Sequence, residues 1–302
     1  MSSTLDTTTA PPYTGVIDSR RYKRAKIMRQ IGHTVLVYAL SVPLGLLFVL
    51  PFIWMLSTSL KPLKEIFLFP PVWIPPVLHF ENYTEALALA PFGLYLRNTL
   101  FVTVGNVMGN VLSCTLAAFG FARLRARGRE TLFLIMLATL MLPTWVTLIP
   151  QYVLFSAIGW NNSFAPIMVP AWFGWPFFIF LLRQFFMTIP KELEEAARLD
   201  GATTFGILWR IIVPLSKPAL ATVAVLGFIG NWNNFFSPLI YLRDPNLYTL
   251  PLAIQRFRGQ YGNLNLNYMM AVSVLVVIPV IVMFFVAQRY LVKGIVMTGL
   301  KT

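Results

Sequence analysis

The chain has 302 residues, of which 57% are hydrophobic and only 12% charged, and its formal net charge is +13. An ordinary soluble domain carries about 25% charged residues, so the composition excludes a typical water-soluble protein and points to lipid as the solvent for much of the surface. In that setting the excess of Lys and Arg suits anionic headgroups and topology signals, not nucleic acid.

The first 19 residues are polar and rich in Thr, Ser and Pro, a composition that favours disorder. A basic run follows, with Arg20, Arg21, Lys23, Arg24, Lys26 and Arg29. No small-residue cleavage site follows the apolar run that begins at Val35, so the run is expected to stay as a spanning helix behind a cytoplasmic tail, 1–31. A bilayer core of about 30 Å needs roughly 20 apolar helical residues. Six stretches qualify: 33–57, 95–121, 131–156, 163–187, 215–241 and 268–291. This is the pattern of an all-α integral membrane protein with six transmembrane helices over 32–302. Arg97, Arg183 and Arg289 fall near span ends, where long side chains can snorkel.

Three quarters of the 24 Lys and Arg residues lie on one side of these spans, in the N-terminal tail, the 122–130 loop, the 183–217 segment and the C-terminal tail. The positive-inside rule places that side, with both termini, in the cytoplasm. On the other side, residues 58–94 carry a Pro-rich run with Trp73 and Tyr83, suited to the interface. The 242–267 loop carries Arg256, Arg258 and Tyr261. Prolines recur in the spans, among them Pro43, Pro51, Pro143, Pro150, Pro176 and Pro279, and read either as packing adjustments or as hinges. Gly105 and Gly109, four apart in the second span, invite close helix contact.

The segment between the fourth and fifth spans is unlike the rest. Pro190 suits a helix start, and Glu192, Glu194 and Glu195 sit where the helix dipole favours anions. Glu194 and Arg198 are four apart and are expected to pair. Gly201 suits a left-handed helix end, and a second short helix is expected over 203–212 before Pro214 and Pro218. Ala196, Ala197 and Gly201 leave little side-chain bulk, so either another molecule packs there or the segment is a plain amphipathic connector.

Glu195-Ala196-Ala197, three residues, Gly201, nine residues and Ile211-Ile212-Val213-Pro214 resemble the EAA loop of ABC-importer permeases, with Val213 replacing the Leu of that pattern. Asn98-Thr99, the 117–124 run and Gly230-Asn231-Trp232-Asn233-Asn234-Phe235 are similar to carbohydrate permeases, of which the maltose-type six-span subunit is the nearest kind. The resemblance implies a type I ABC importer transmembrane domain, with 188–216 as its coupling loop. Glu195, Ala196, Ala197, Asp200, Gly201 and Ala202 would form the helix that docks on a dimer of ATPase subunits. The implied partners are that ATPase, a second permease subunit and an extracytoplasmic substrate-binding protein, which the loop bearing Arg256, Arg258 and Tyr261 would meet.

The chain lacks a Gly-x-x-x-x-Gly-Lys-Ser/Thr loop, so ATP and Mg are expected on the separate ATPase and no cofactor on this chain. Neither His33 nor His79 has neighbouring ligands, and no metal or catalytic residues are expected. The spans hold no chain of acids or His for proton coupling, no nucleophile–base pair and no filter-like charged ring, which disfavours a secondary transporter, an intramembrane enzyme and a channel. Asn106 and Asn110 in the second span and Asn231, Trp232, Asn233 and Asn234 in the fifth are candidates for the substrate pathway. Asn106 and Asn110 equally suit interhelical hydrogen bonds. A sugar, a polyol and a glycerol phosphate remain alternatives as cargo.

Overall fold

The computed structural model describes residues 19–258 and 265–299. Among them every regular element is helical. The chain divides into two compact units, Met1–Trp54 and Met55–Thr302. The first consists, where described, of helix α1 (Ser19–Ser59), whose last residues belong to the second unit. From Val35 onward α1 is predominantly apolar, as lipid demands, and it runs unbroken through Pro43 and Pro51.

The second unit opens with two short helices, α2 (Leu63–Ile66) and α3 (Glu81–Ala88). The buried Asn82 amide holds this region together: its Nδ2 donates to the Ser59 and Lys61 carbonyls, each at 2.9 Å, and its Oδ1 accepts from Asn267 at 3.0 Å. All three polar contacts stay inside the fold, which offsets the cost of burying an amide.

Helix α4 (Phe92–Arg123) is the central element and packs along both α8 (Pro176–Thr188) and α12 (Lys217–Trp232). Between α4 and α8 lie α5 (Arg129–Ala138), α6 (Thr144–Ala157) and α7 (Ala165–Met168). After α8 come α9 (Glu192–Leu199), α10 (Thr204–Ile207) and α11 (Val213–Leu215), the last two joined by a π-type turn over Leu208–Ile212. Beyond α12 lie α13 (Phe236–Tyr241), α14 (Leu250–Gln255) and α15 (Leu266–Gly299), which packs on α12 and α3.

Four described helices are long and apolar enough to cross a membrane: Ile27–Ser59, Phe92–Arg123, Ala165–Thr188 and Leu266–Gln288. Two bent pairs, Arg129–Met141 with Thr144–Ala157 at 99° and Thr204–Leu215 with Lys217–Trp232 at 79°, raise the number to six if each pair is one span. The straight helix expected over 131–156 is therefore bent. Leu142 precedes Pro143 and takes an extended ψ of 118°, which ends the first arm. The stretch expected over 163–187 is broken at Gly174, whose φ is +87°. The break is tolerated because α4 supplies partners: Cys114 Sγ accepts from the Trp175 N–H at 3.3 Å, and Ser113 Oγ donates to the Ala171 carbonyl at 3.4 Å. The fifth stretch, expected over 215–241, stops at Trp232 and resumes as α13, where Asn234 Oδ1 accepts from the Ser237 N–H at 3.2 Å.

The pair Gly105 and Gly109 does serve close packing. A Cβ on Gly105 would collide with Met168 Cε, and one on Gly109 would lie 2.8 Å from the Trp172 ring. The partner is thus the interrupted segment between α7 and α8. One apolar core joins Ala118 and Phe119 of α4, Leu182 and Phe186 of α8, and Ile207, Leu208 and Ile212 of the following loop. That core seats the loop against the helices. Each fully buried aliphatic side chain contributes about 1.5–3 kcal/mol where its alternative is water.

Candidate coupling site

Helix α9 begins after Pro190 and Lys191 and carries three acids in its first turn, Glu192, Glu194 and Glu195. It closes at Asp200, whose N–H bonds the Ala196 carbonyl, and the chain reverses at Gly201 with φ +81°. The left-handed turn is what glycine allows at least cost. The Ala202 N–H then bonds back to the Ala197 carbonyl at 2.8 Å. Thr203 caps the next helix, its Oγ1 accepting from the Gly206 N–H at 3.1 Å. The short helix expected over 203–212 starts at Thr204 and continues through the π-type turn to Leu215.

The two faces of this loop differ. Glu194, Ile207, Leu208 and Ile212 face inward and are buried, with Ala197 and Ala202 half-buried beside them. Glu195, Ala196, Asp200 and Gly201 face outward. So do large apolar side chains: Leu199 is 90% exposed and Phe205 66% exposed, and Leu193 and Trp209 are exposed as well. Exposed apolar side chains in a polar loop are of the kind that a partner protein or lipid covers.

Glu194 is paired with Arg123 at the end of α4, and not with Arg198 as its spacing suggests. Arg123 Nε lies 2.6 Å from Glu194 Oε1, and both side chains are buried. The acid points inward, where the tertiary partner displaces the weak solvent-exposed i, i+4 pair. Arg123 Nη2 also donates to the Phe186 and Ile189 carbonyls at the end of α8, at 2.7 and 2.6 Å. Arg183 of α8 acts in return. Its Nε donates to the Phe121 carbonyl at 3.2 Å, its Nη2 reaches both Glu130 oxygens at 2.9 and 3.1 Å, and its guanidinium stacks 4.0 Å over the Phe133 ring. Arg183 is thus buried and paired, where the sequence suggested snorkelling. Each arginine stands at the carbonyl end of the other's helix, which the helix dipole favours. Sequence reasoning missed both clamps. The available signal was the scarcity of acids, 11 in all, with Glu130 and Glu194 on the same expected side as both arginines.

The polar candidates within the spans separate into distinct positions. Asn106 and Asn231 meet: Asn106 Nδ2 donates to Asn231 Oδ1 at 2.5 Å and to the Ile167 carbonyl at 3.2 Å, and Asn231 Nδ2 donates to the Gly227 carbonyl at 2.8 Å. Asn110 is buried one turn along α4, and its Oδ1, like that of Asn106, has no hydrogen-bond partner among the described residues. Trp232 is buried, with its indole N–H on the Val276 carbonyl at 3.1 Å and its ring stacked on Phe228. Asn233 is exposed and donates to its own helix at the Ile229 carbonyl, and Asn234 caps α13.

On the opposite side, Asn98 Nδ2 donates to the Asn246 and Tyr248 carbonyls at 2.8 and 3.1 Å, and Thr99 Oγ1 accepts from the Leu250 N–H at 2.8 Å. These bonds fix the loop before α14 on the first turns of α4. Arg256 lies 4.8 Å over the Tyr248 ring. Tyr261 and the side chain of Arg258 lie outside the described residues.

The comparisons with known proteins agree with one another. Residues 109–297 match the family model described as binding-protein-dependent transport system inner membrane component. The chain is 31% identical over 258 residues to the arabinooligosaccharides transport system permease protein AraQ of Halalkalibacterium halodurans, covering 84% of this chain and 91% of that one. It is 33% identical over 266 residues to the diacetylchitobiose uptake system permease protein DasC of Streptomyces coelicolor, covering 88% and 95%. A chain in the crystal structure of a bacterial ABC transporter involved in alginate import superposes with a TM-score of 0.76 at 26% identity, over 88% of this chain and 98% of that one. The chain belongs to the binding-protein-dependent transport system inner membrane components, as a non-catalytic, multi-pass permease subunit.

Proposed function

We propose that this permease serves an ATP-driven importer of a carbohydrate and receives the motion of its ATPase through residues 195–202. The carrying observation is the two-faced loop around Gly201. Its inner face is bonded to the helices, and its outer face offers Leu199, Phe205 and Ala196 beside the acids Glu195 and Asp200. Such a surface suits a cleft on a partner protein, with the apolar side chains as anchors and the acids at the rim. The basic residues gathered on the same side of the spans support a cytoplasmic loop and cytoplasmic termini.

A carbohydrate cargo is supported by the substrates in the relatives' names, which include arabinooligosaccharides and diacetylchitobiose. Asn106 and Asn110 supply amide oxygens suited to sugar hydroxyls within the spans. The remaining partners are a second permease subunit and an extracytoplasmic binding protein, the latter at the loop around Arg256 that Asn98 and Thr99 hold in place.

Co-expression with the ATPase and the second permease subunit tests the docking surface. Native chain is expected to co-purify with both. Leu199→Asp is expected to insert normally and to retain the second permease subunit but lose the ATPase. Undiminished ATPase recovery with Leu199→Asp sinks the docking role.

A further inference from the structure

We infer that Arg123 is a positioning residue that locks helix α9 to the inner ends of α4 and α8, so that α9 moves with those helices and does not swing against them. The inference rests on the coupling reading given above and adds a route for the motion. The loop is joined by the chain itself to α8 before it and to α12 after it. Nothing in the chain's connectivity joins it to α4.

The guanidinium supplies that joint. Its Nε faces Glu194 of α9 at 2.6 Å, and its Nη2 donates to the Phe186 and Ile189 carbonyls of the α8 end, so one side chain of α4 holds two further elements. The pair is desolvated, with side-chain exposures of 3% and 9%. A buried pair of this kind adds little net stability over an apolar pair, but removing one partner leaves a charge stranded. Its value lies in fixing one geometry. Glu192 and Glu195 on the same helix are exposed, so Glu194 alone of the three first-turn acids is committed inward. Arg183 and Glu130 complete the frame by tying α8 to the last turn of α4 and the start of α5. The four elements α4, α5, α8 and α9 are thereby cross-linked at one end, and a displacement applied to the outer face of α9 passes to α4 through the guanidinium.

The test is a spin-label distance in the assembled complex with its ATPase and second permease subunit. Labels are placed at Arg125→Cys, just past the end of α4, and at Glu192→Cys, both exposed. Buried Cys114 is left in place. The distance is measured without nucleotide and after trapping with Mg-ATP and vanadate. In the native background it should stay constant between the two states. In Glu194→Gln it should shift on trapping, and its distribution should broaden, while ATP hydrolysis persists. A native distance that changes on trapping, or a Glu194→Gln complex whose distance stays fixed, overturns the inference. The native measurement decides it even if the Gln variant fails to assemble. Failure of the native chain to retain the ATPase would remove the coupling reading, and this one with it.

Discussion

At the scale of single residues, Gly201 separates backbone from side-chain effects. Among the described residues, and apart from its two chain neighbours, no atom lies within 4 Å of where its Cβ would be, yet its φ is +81°. A β-branched residue there meets no neighbour but must hold a left-handed backbone, at a cost of about 1–2 kcal/mol. Gly201→Val is expected to insert and assemble while ATP-driven uptake in proteoliposomes falls. Gly201→Asn, which tolerates that conformation, is expected to keep most of the uptake. Equal uptake by the two variants would remove the bend from the mechanism. Asn106, buried, and Asn231, half-buried, form a pair between helices, where such bonds average about 0.6 kcal/mol in membrane proteins. A double-mutant cycle with Asn106→Ala and Asn231→Ala, read by thermal unfolding in detergent, should return a coupling of that order. Gly201 was legible in the sequence because its role is local: an amphipathic turn, a glycine and a new helix. The partner of Glu194 was not legible. Spacing along the chain favours Arg198, and Arg123 arrives only through the packing of α4 on α8.

At the scale of elements, the places of the apolar stretches could be read from the sequence but their breaks and bends could not. Proline alone does not decide where a helix breaks. α1 runs straight through Pro43 and Pro51, and α15 contains Pro279, whereas the chain turns 99° between Met141 and Thr144. The interruption before α8 depends on what stands opposite it, since Cys114 and Ser113 of α4 bond the backbone freed there. Gly109 makes the same point for packing. Its spacing from Gly105 suggests a contact between two spanning helices, but the contact is with the Trp172 ring on a short 3-10 turn, Val169–Phe173. Gly109→Leu should therefore destabilise the chain by about 1–3 kcal/mol, the usual cost of overpacking. Gly120→Ala, on the same helix with open space around it, serves as the control. Thermal unfolding of the two variants in detergent checks the difference. A Gly109→Leu variant as stable as Gly120→Ala would mean that Trp172 can move aside at little cost.

At the scale of the whole molecule, composition and charge distribution were enough to expect a multi-span membrane protein, whereas a docking role for the loop came only from the resemblance of its motif. They said little about how distant parts are joined, because those joints are made by a few buried polar side chains far apart in sequence. α4 shows what such joints do. It has 32 residues, which at 1.5 Å each gives about 48 Å. At its first turns Asn98 and Thr99 grip the loop before α14. At its last residue Arg123 grips α9. Its middle is pressed against Met168 and Trp172 at two glycines. One rod thus carries a handle at each end and a bearing at its centre. Under the coupling role proposed for α9, tilting such a rod about the bearing would move the two handles in opposite senses, linking the loop before α14 to α9 without any signal passing through flexible chain.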